Sequence, residues 1–335
     1  MNAPATTHVT PQRISQLAWS YAAPLILEAA IHNGVFDTLD QSPKTLEEIH
    51  TATGASTRGL SAIMNALCGL ELLDRDSGGR YSLTPESAAF LVRGKPSFMG
   101  GLILHTSSHL IPRWLHLNES VRTGRPVGAV NQQDTGAEFF QKFVADIFPM
   151  SYAPAQTLAA ALKLGKARVL DLAAGSGVWG IALAQSSPQV EVTSVDWPGV
   201  LPVTKETVAR FGLEDRFTFV AGDLLSASFG SGYNVATLGH ILHSEGEARS
   251  HALLDKVFTA LAPGGTIAIA EFLVNADHKG PITGLFFAVN MLVNTDEGST
   301  WSFEEISAWL KQAGFINPRL LDSPGPSPLI LATKP

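Results

Sequence analysis

Three glycines, Gly175, Gly177 and Gly180, follow an apolar run at residues 169–172 and lead into a stretch where Trp179, Ile181, Leu183 and Ala184 recur at helical spacing. The order strand, tight turn, helix is implied. A side chain at Gly175 or Gly177 would hold a ligand off the main chain, so glycine there implies close approach at a helix N-terminus. Asp196 closes the next apolar run, VEVTSVD, about 20 residues further on, where a carboxylate grips ribose hydroxyls in such units. The G-x-G-x-x-G spacing is shared with dinucleotide-binding proteins and does not decide the ligand alone. Asp171, just ahead of the turn, would repel a pyrophosphate but suits an ammonium or sulfonium charge. Asp223, at the end of a further apolar run in TFVAGDLL, suits an adenine amino group.

Composition narrows the class of protein. The 335 residues can bury a large core and suggest more than one domain, and 45% hydrophobic against 16% charged residues is a globular balance. A formal net charge of −7 argues against a nucleic-acid partner held through phosphates. The single cysteine, Cys68 in AIMNALCGLELL, reads as core filler, so no disulfide framework is expected and a reducing, cytoplasmic setting fits. The N-terminus lacks the basic and apolar regions of a signal peptide. Apolar runs such as ITGLFFAVNMLV fall short of the roughly 18 residues a membrane span needs.

The elements that must position these residues can be read in chain order. Residues 1–11 read as a loose tail; residues 12–31 read as helix, through Ile14, Leu17, Ala18, Tyr21, Leu25 and Ile26, with Pro24 as a kink or break and Gly34 as the stop. The patterns KTLEEIHTATG, STRGLSAIMNALCGLELL and DRDSGGRYSLT make a winged helix-turn-helix. Its second helix opens with only Arg58, and Arg75 and Arg80 on the wing are balanced by Asp74 and Asp76. That is too little positive charge for a groove-reading helix, so a packing module is expected. Mixed apolar helical segments follow, one ending in a turn at residues 124–126 and one split near Pro149. From Ala167 onward strand and helix alternate as in a doubly wound parallel α/β sheet, with strands expected at 168–172, 191–196, 216–221, 234–238 and 265–273. A terminal pair near 317–321 and 328–333 would add an antiparallel edge.

These features in this order resemble the S-adenosylmethionine-dependent methyltransferases. Over nearly its whole length the chain looks like the small-molecule O-methyltransferases of plant phenylpropanoid and bacterial natural-product pathways. The most specific pieces are LDLAAGSG, Asp196, GDLL, LGHILHSEGEARSHALLDKVFTALAPGG, AEFLV and NMLVNTDEGSTWSFEEISAWLKQAGF. The resemblance implies a Rossmann-like methyltransferase domain at residues 161–335, a winged-helix dimerisation domain at 1–95 and a helical lid over the substrate pocket at 96–160. It also implies a homodimer, S-adenosyl-L-methionine as cofactor with S-adenosyl-L-homocysteine as product, and a small-molecule acceptor with no membrane partner. Cofactor contacts are implied for Asp171, Gly175, Gly177, Asp196, Trp197, Gly222, Asp223, Leu224 and Gly239. His243, in HILHSE, stands at the family's catalytic histidine, and Glu271, in AEFLV, at the acid that holds it. By residue type alone, His243 reads as a surface or capping histidine and Glu271 as a strand-end acid.

Two positions depart from the family pattern. Ser244 stands where an Asp usually follows the histidine, and Thr300 where a second orienting acid belongs, although Asp296 and Glu297 lie close by. Carbon or nitrogen acceptors are therefore alternatives to hydroxyl methylation, and from a different class the rival is a winged-helix regulator whose C-terminal half senses S-adenosylmethionine. Ser244 also has a plain reading as the N-cap of EGEARSHALLDKVFTAL. His240, His243 and His251 invite a metal reading, but no cysteine or carboxylate cluster completes a shell, so no metal is expected. Trp114, Phe148, Met150, Phe286, Phe287, Asn290 and Met291 fall in segments that line the acceptor pocket in relatives, and their size suggests a flat, largely apolar acceptor. Asn290 is the most informative, since an amide between FFAV and ML needs a polar partner.

Overall fold

The computed structural model describes residues 9–325 and 327–335, so residues 1–8 of the expected tail lie outside the described residues. The chain forms two compact units, Met1–Leu110 and Ile111–Pro335.

In the first unit the helices Leu46–Thr53 and Thr57–Gly69 precede the antiparallel pair β1 (Leu73–Arg75) and β2 (Tyr81–Leu83), with Leu73 opposite Leu83. Thr45 opens the first of these helices with a capping box: its hydroxyl accepts from Glu48 N–H at 3.3 Å, and Glu48 Oε2 accepts from Thr45 N–H at 2.6 Å. Such a cap contributes about 0.5–2 kcal/mol. Ile49, Leu60, Met64, Leu67 and Leu73 then bury together with Ala30, Val35 and Phe36. The wing's positive groups are engaged internally: Arg80 pairs with Glu48 at 3.0 Å, and Arg75 lies over the Tyr81 ring.

The expected 12–31 helix is two helices, Gln12–Ala18 and Ala22–His32. The break falls before Pro24, which sits in the first turn of the second helix, where its missing N–H costs nothing. Beyond Gly34 a short helix, Val35–Leu39, appears that the sequence pattern did not suggest. The Gln12–Ala18 helix buries no residue, and Ile14, Leu17, Trp19 and Tyr21 around it stay 58–73% exposed.

The second unit is built on a seven-stranded sheet. Its strands are β3 (Ala167–Leu172), β4 (Val190–Asp196), β5 (Phe217–Ala221), β6 (Tyr233–Gly239), β7 (Leu261–Ala270), β8 (Ile316–Leu321) and β9 (Leu329–Thr333). Their order is β5-β4-β3-β6-β7-β9-β8, parallel through β7, with β9 antiparallel to both β7 and β8. Alternation along each strand sends neighbours to opposite faces. Leu170, Leu172, Ala236, Leu238, Ile267 and Ile269 join Leu253, Leu254, Val257, Ile306 and Leu310 of the helices Leu242–Ala260 and Phe303–Gln312. Val169, Val192, Val235 and Ala268 pack instead on Leu158, Ile181 and Leu183 of Phe148–Leu162 and Val178–Ser186.

Chain order reverses between β3 and β6, because β4 and β5 lie to one side of β3 and β6 and β7 to the other. A crevice at the carboxyl ends of β3 and β6 follows from that reversal. β7 stops at Ala270 rather than running to 273. Its ladder partner at that point is Leu329, and Pro328 before it has no N–H to continue the pairing. Glu271 is thereby released into the crevice end of the sheet.

Candidate active site

The turn after β3 needs left-handed backbone at Gly175 (φ 55°) and Gly177 (φ 77°), which glycine adopts without strain. Gly180 serves packing: a Cβ there would lie 2.8 Å from Val192 Cγ1 and 2.9 Å from Asp171 Oδ2, so the helix rests directly on the strand. Parallel register sets Asp171 beside Thr237, whose hydroxyl donates to Asp171 Oδ1 at 2.7 Å. Gly180 N–H donates to Oδ2 at 3.1 Å. Asp171 is wholly buried, and burial, aided by the nearby Asp196 charge, pushes its pKa up to about 7 against those two bonds. The carboxylate read from sequence as bordering the ligand therefore lies beneath the turn and braces it, because it has no exposed surface, whereas Asp196 is only partly buried.

Asp196, at the end of β4, accepts from Gly175 N–H through Oδ2 and from Trp197 N–H through Oδ1, both at 2.7 Å. Burial raises its pKa to about 6 despite the two amides. Gly222 N–H donates to Asp196 carbonyl at 3.0 Å and joins the ends of β4 and β5. The next residue, Asp223, accepts from Leu225 N–H at 2.9 Å and from Arg249 Nη2 at 2.7 Å. The Leu224 side chain faces the core instead, 6% exposed among Leu170, Leu172 and Leu238. At Gly239 the absent side chain leaves room for the Trp179 indole, which a Cβ would overlap. The Gln133–Phe143 helix covers this edge: Phe140 meets the Trp197 ring edge-on at 6.0 Å, and Val144 sits 3.3 Å from where a Gly175 Cβ would be.

The β6 strand ends at Gly239, and the chain turns sharply at the next residue, His240 with φ 60°, bringing His243 against Glu271. His243 Nδ1 lies 2.7 Å from Glu271 Oε2, and His243 N–H donates to Oε1 at 3.2 Å. A carboxylate at Nδ1 holds the proton there, which leaves Nε2 as a lone-pair acceptor. Nε2 makes no hydrogen bond to the described residues. Burial alone would raise the Glu271 pKa; the His243 charge and hydrogen bonds outweigh it and hold the acid below its ordinary range. Burial pushes His240 down to about 4, so that ring stays neutral, with Nε2 2.8 Å from Ser327 Oγ.

Neither acid near Thr300 reaches the imidazole. Asp296 accepts from Gln132 at 2.8 Å, Glu297 lies against Gly246, and the loop meets the His243 backbone, where Ser299 N–H donates to its carbonyl at 2.9 Å. Thr300 is buried and donates to Gly284 carbonyl. Ser244 is not an N-cap: its hydroxyl donates to Ile241 carbonyl at 2.9 Å, and the helix is broken two residues later at Gly246, with φ 74° and ψ 171°. Among the described residues no group of three or more His, Cys, Asp or Glu side chains is arranged to hold a metal.

Of the expected pocket residues, Phe287 meets the His243 ring edge-on at 4.8 Å and packs on Phe272 at 4.1 Å. Asn290 Oδ1 accepts from Trp114 Nε1 at 2.9 Å and from Asn294 Nδ2 at 3.0 Å, which satisfies the amide's acceptor and leaves its Nδ2 as a donor. Met291 is 5% exposed and Phe286 is 59% exposed, so the first is packing and the second is surface. Phe148 is not brought to His243; it stacks on Tyr152 and Phe211 at 5.1 and 5.6 Å, while Met150 lies near Gly325. Their helix turns its aromatic side to a different part of the sheet. Three contributors had gone unread in the sequence. Asn131 Nδ2 donates to Ser244 carbonyl at 3.0 Å, Arg113 donates to Asn294 Oδ1 at 3.2 Å, and Arg249 holds Asp223. Only Arg249 left a signal, its i,i+4 spacing from Glu245.

The donor set discriminates between nucleotide ligands. The turns at 173–180, 197–200 and 222–225 contain no Lys, Arg or His, while Asp196 directly precedes the second and Asp223 lies in the third. That suits hydroxyl, amino and sulfonium groups and opposes a pyrophosphate. The cradle left by Gly175 and Gly177, with Asp196 beside it, fits S-adenosylmethionine.

Comparison with known proteins points the same way. Residues 114–316 match the O-methyltransferase domain family, and residues 15–93 match the O-methyltransferase dimerisation domain. The chain is 30% identical over 331 residues to a 3-hydroxy-5-methyl-1-naphthoate 3-O-methyltransferase of Streptomyces sahachiroi, covering 97% of this chain and 95% of that one. It is 28% identical to a tetracenomycin polyketide synthesis 8-O-methyl transferase of Streptomyces glaucescens, covering 98% of both. A crystal structure from Nostoc punctiforme, described as an O-methyltransferase, aligns with TM-score 0.89 at 28% identity over 97% of this chain and 100% of that one. Human N-acetylserotonin methyltransferase in complex with S-adenosylmethionine shares the fold, with TM-score 0.84 at 22% identity over 100% of this chain and 99% of that one.

Proposed function

The chain belongs to the S-adenosylmethionine-dependent O-methyltransferases, and from that premise we propose that it methylates a hydroxyl group of a small aromatic or polycyclic metabolite, with His243 as general base. The observation that carries the reading is the 2.7 Å contact between His243 Nδ1 and Glu271, which leaves Nε2 free beside Phe287. Bound S-adenosylmethionine supplies an electrophilic sulfonium methyl group. Asp196 accepts the ribose hydroxyls, Asp223 the adenine amine, and the main chain at Gly175 and Gly177 lies against the rest. His243 takes the acceptor's proton at Nε2, Glu271 steadies the resulting imidazolium, and the Phe287 and Phe272 rings shield both from water.

Relatives that act on a hydroxynaphthoate and a polyketide point to fused-ring phenols as the acceptor class. The free Nδ2 of Asn290 suits an acceptor that carries a second oxygen, a carbonyl or carboxylate, away from the reacting hydroxyl. The test is incubation with S-adenosylmethionine carrying a labelled methyl group and a panel of hydroxynaphthoates, hydroxyanthraquinones and hydroxyindoles, with matched amines as controls. Label found on oxygen is the expected result; label confined to nitrogen or carbon, or no transfer to any member, rejects the reading.

Domain roles complete the proposal. Residues 1–95 serve dimerisation, 96–160 form the cover and 161–335 hold cofactor and chemistry. The exposed Ile14, Leu17, Trp19 and Tyr21 would be buried by a second copy, consistent with the match to a dimerisation domain. No helix of the described residues is long and apolar enough to cross a membrane, and the lone thiol of Cys68 fits action in the cytoplasm.

Cofactor binding should depend on Asp196 and on pH. A charged hydrogen bond is worth about 1.5–3 kcal/mol, so Asp196→Ala weakens affinity about tenfold or more. In the free protein the Asp196 pKa is raised to about 6, and the ionised form is the one that accepts ribose hydroxyls. Affinity should therefore be full above about pH 7 and fall about tenfold near pH 5, as the competent fraction shrinks. Calorimetric titration across this range checks both statements; a pH-independent affinity, or an unaffected alanine variant, removes Asp196 from the site.

A further inference from the structure

The acid assigned to the adenine is not held by its own loop alone. Asp223 Oδ1 accepts the Leu225 N–H at 2.9 Å, while Oδ2 receives Arg249 Nη2 at 2.7 Å. The same guanidinium donates through Nε to Glu245 Oε2 at 2.6 Å. Glu245 is only 6% exposed, against 34% for Asp223 and 42% for Arg249, so the buried carboxylate anchors one edge of the guanidinium and the other edge reaches the loop. Seven residues further along the same helix, Lys256 Nζ donates to the carbonyls of Leu224, Leu225 and Ala227 at 2.8, 2.9 and 2.6 Å. The helix whose first turn carries His243 thus grips the Asp223 loop twice.

An ion pair this exposed contributes little to folding stability. Its consequence falls on Asp223. A carboxylate has about four lone-pair sites. The bonds from Leu225 and Arg249 engage one oxygen each and fix its plane, and the side chain keeps about a third of its surface exposed. Burial pulls the Asp223 pKa upward, but Arg249 and the loop amides outweigh it, so the group stays ionised. A fixed, charged acceptor attracts an amino group and repels a carbonyl oxygen in its place.

We infer that Arg249 is a positioning residue for the adenine end of the cofactor site, holding Asp223 so that it reads the 6-amino group of the purine. The inference rests on the reading of Asp223 as the adenine acid. A purely structural arginine would affect all nucleoside ligands alike; one that acts through Asp223 affects only those bearing the 6-amino group.

The test is calorimetric titration of the full chain with S-adenosylhomocysteine and with its 6-oxo counterpart, S-inosylhomocysteine. Wild type should prefer the adenosyl ligand by about tenfold or more, and Asp223→Asn should abolish the preference. Arg249→Met should reduce it to about threefold or less by weakening the adenosyl ligand alone, and Arg249→Lys should give an intermediate value. Should Arg249→Met not fold, Glu245→Gln, which loosens the anchor at Nε, should also shrink the preference. Equal weakening of both ligands, or an unchanged ratio in these variants, overturns the role of Arg249 while Asp223→Asn still reports on Asp223. A wild-type chain that binds both ligands equally overturns the Asp223 reading and the inference with it.

Discussion

Replacing His243 with alanine is expected to lower kcat by a factor of about 10² to 10⁴ while affinity for S-adenosylhomocysteine stays within about twofold of wild type. The size follows from the acceptor. A phenol has a pKa of about 10, so ionising it beforehand at neutral pH costs roughly 4 kcal/mol at 1.36 kcal/mol per unit. A neutral imidazole with its lone pair at Nε2 removes that cost by taking the proton as the oxygen reacts. The split between kcat and cofactor affinity follows from position: His243 touches Glu271, Phe287 and Phe272, and none of its hydrogen bonds goes to the turn after β3 or to Asp196. Residual activity in the variant comes from placement of the reactants in a dry pocket. Single-turnover kinetics with titration of S-adenosylhomocysteine measure both quantities. A variant that retains more than about a third of wild-type kcat has a different base, and one that loses cofactor affinity in proportion has a damaged fold.

What could be read in advance was whatever depends on neighbours in sequence. The alternation that sends Val169 to one face and Leu170 to the other is written in residue order, as is the glycine spacing after β3. What could not be read depends on depth and on distant partners. Asp171 and Asp196 look alike as strand-end acids, yet one is sealed under the turn by Thr237 and Gly180 and the other faces Trp197. The resemblance gave Phe148 and Phe287 equal standing, and only packing decides that the first meets Phe211 and the second His243. Ser244 looked like a helix cap because the acids after it favour an N-terminus. The break at Gly246 was hidden because it depends on Glu297, whose backbone carbonyl would lie 2.9 Å from a Cβ at that position. Arg249 and Asp223 are 26 residues apart and meet because the loop after β5 folds against the helix after β6.

Glu271→Gln is expected to lower kcat by about 10² to 10⁴ with almost no change in side-chain volume. Glu271 uses both oxygens on His243, one for the backbone N–H and one for Nδ1–H. Glutamine offers one acceptor and one donor group. With its carbonyl toward Nδ1, its NH₂ confronts the backbone N–H, two donors face to face. With its carbonyl toward the backbone, its NH₂ donates to Nδ1 and drives the imidazole proton to Nε2, where it blocks acceptance from the substrate. Either arrangement also removes the negative charge that steadies the imidazolium. Because His243 would be the only described side chain bonded to this acid in the variant, no other carboxylate restores the wild-type tautomer; Asp296 and Glu297 are committed elsewhere. Leaving one buried donor without its acceptor costs about 1–3 kcal/mol, so the melting temperature should fall by about 3–10 °C with the fold retained. Nitrogen NMR of the imidazole separates the possibilities: wild type should carry its proton on Nδ1, and the variant should shift it to Nε2 or show a disordered ring. A variant with the Nδ1 proton in place and kcat within about threefold of wild type would show that Glu271 holds the fold rather than the base.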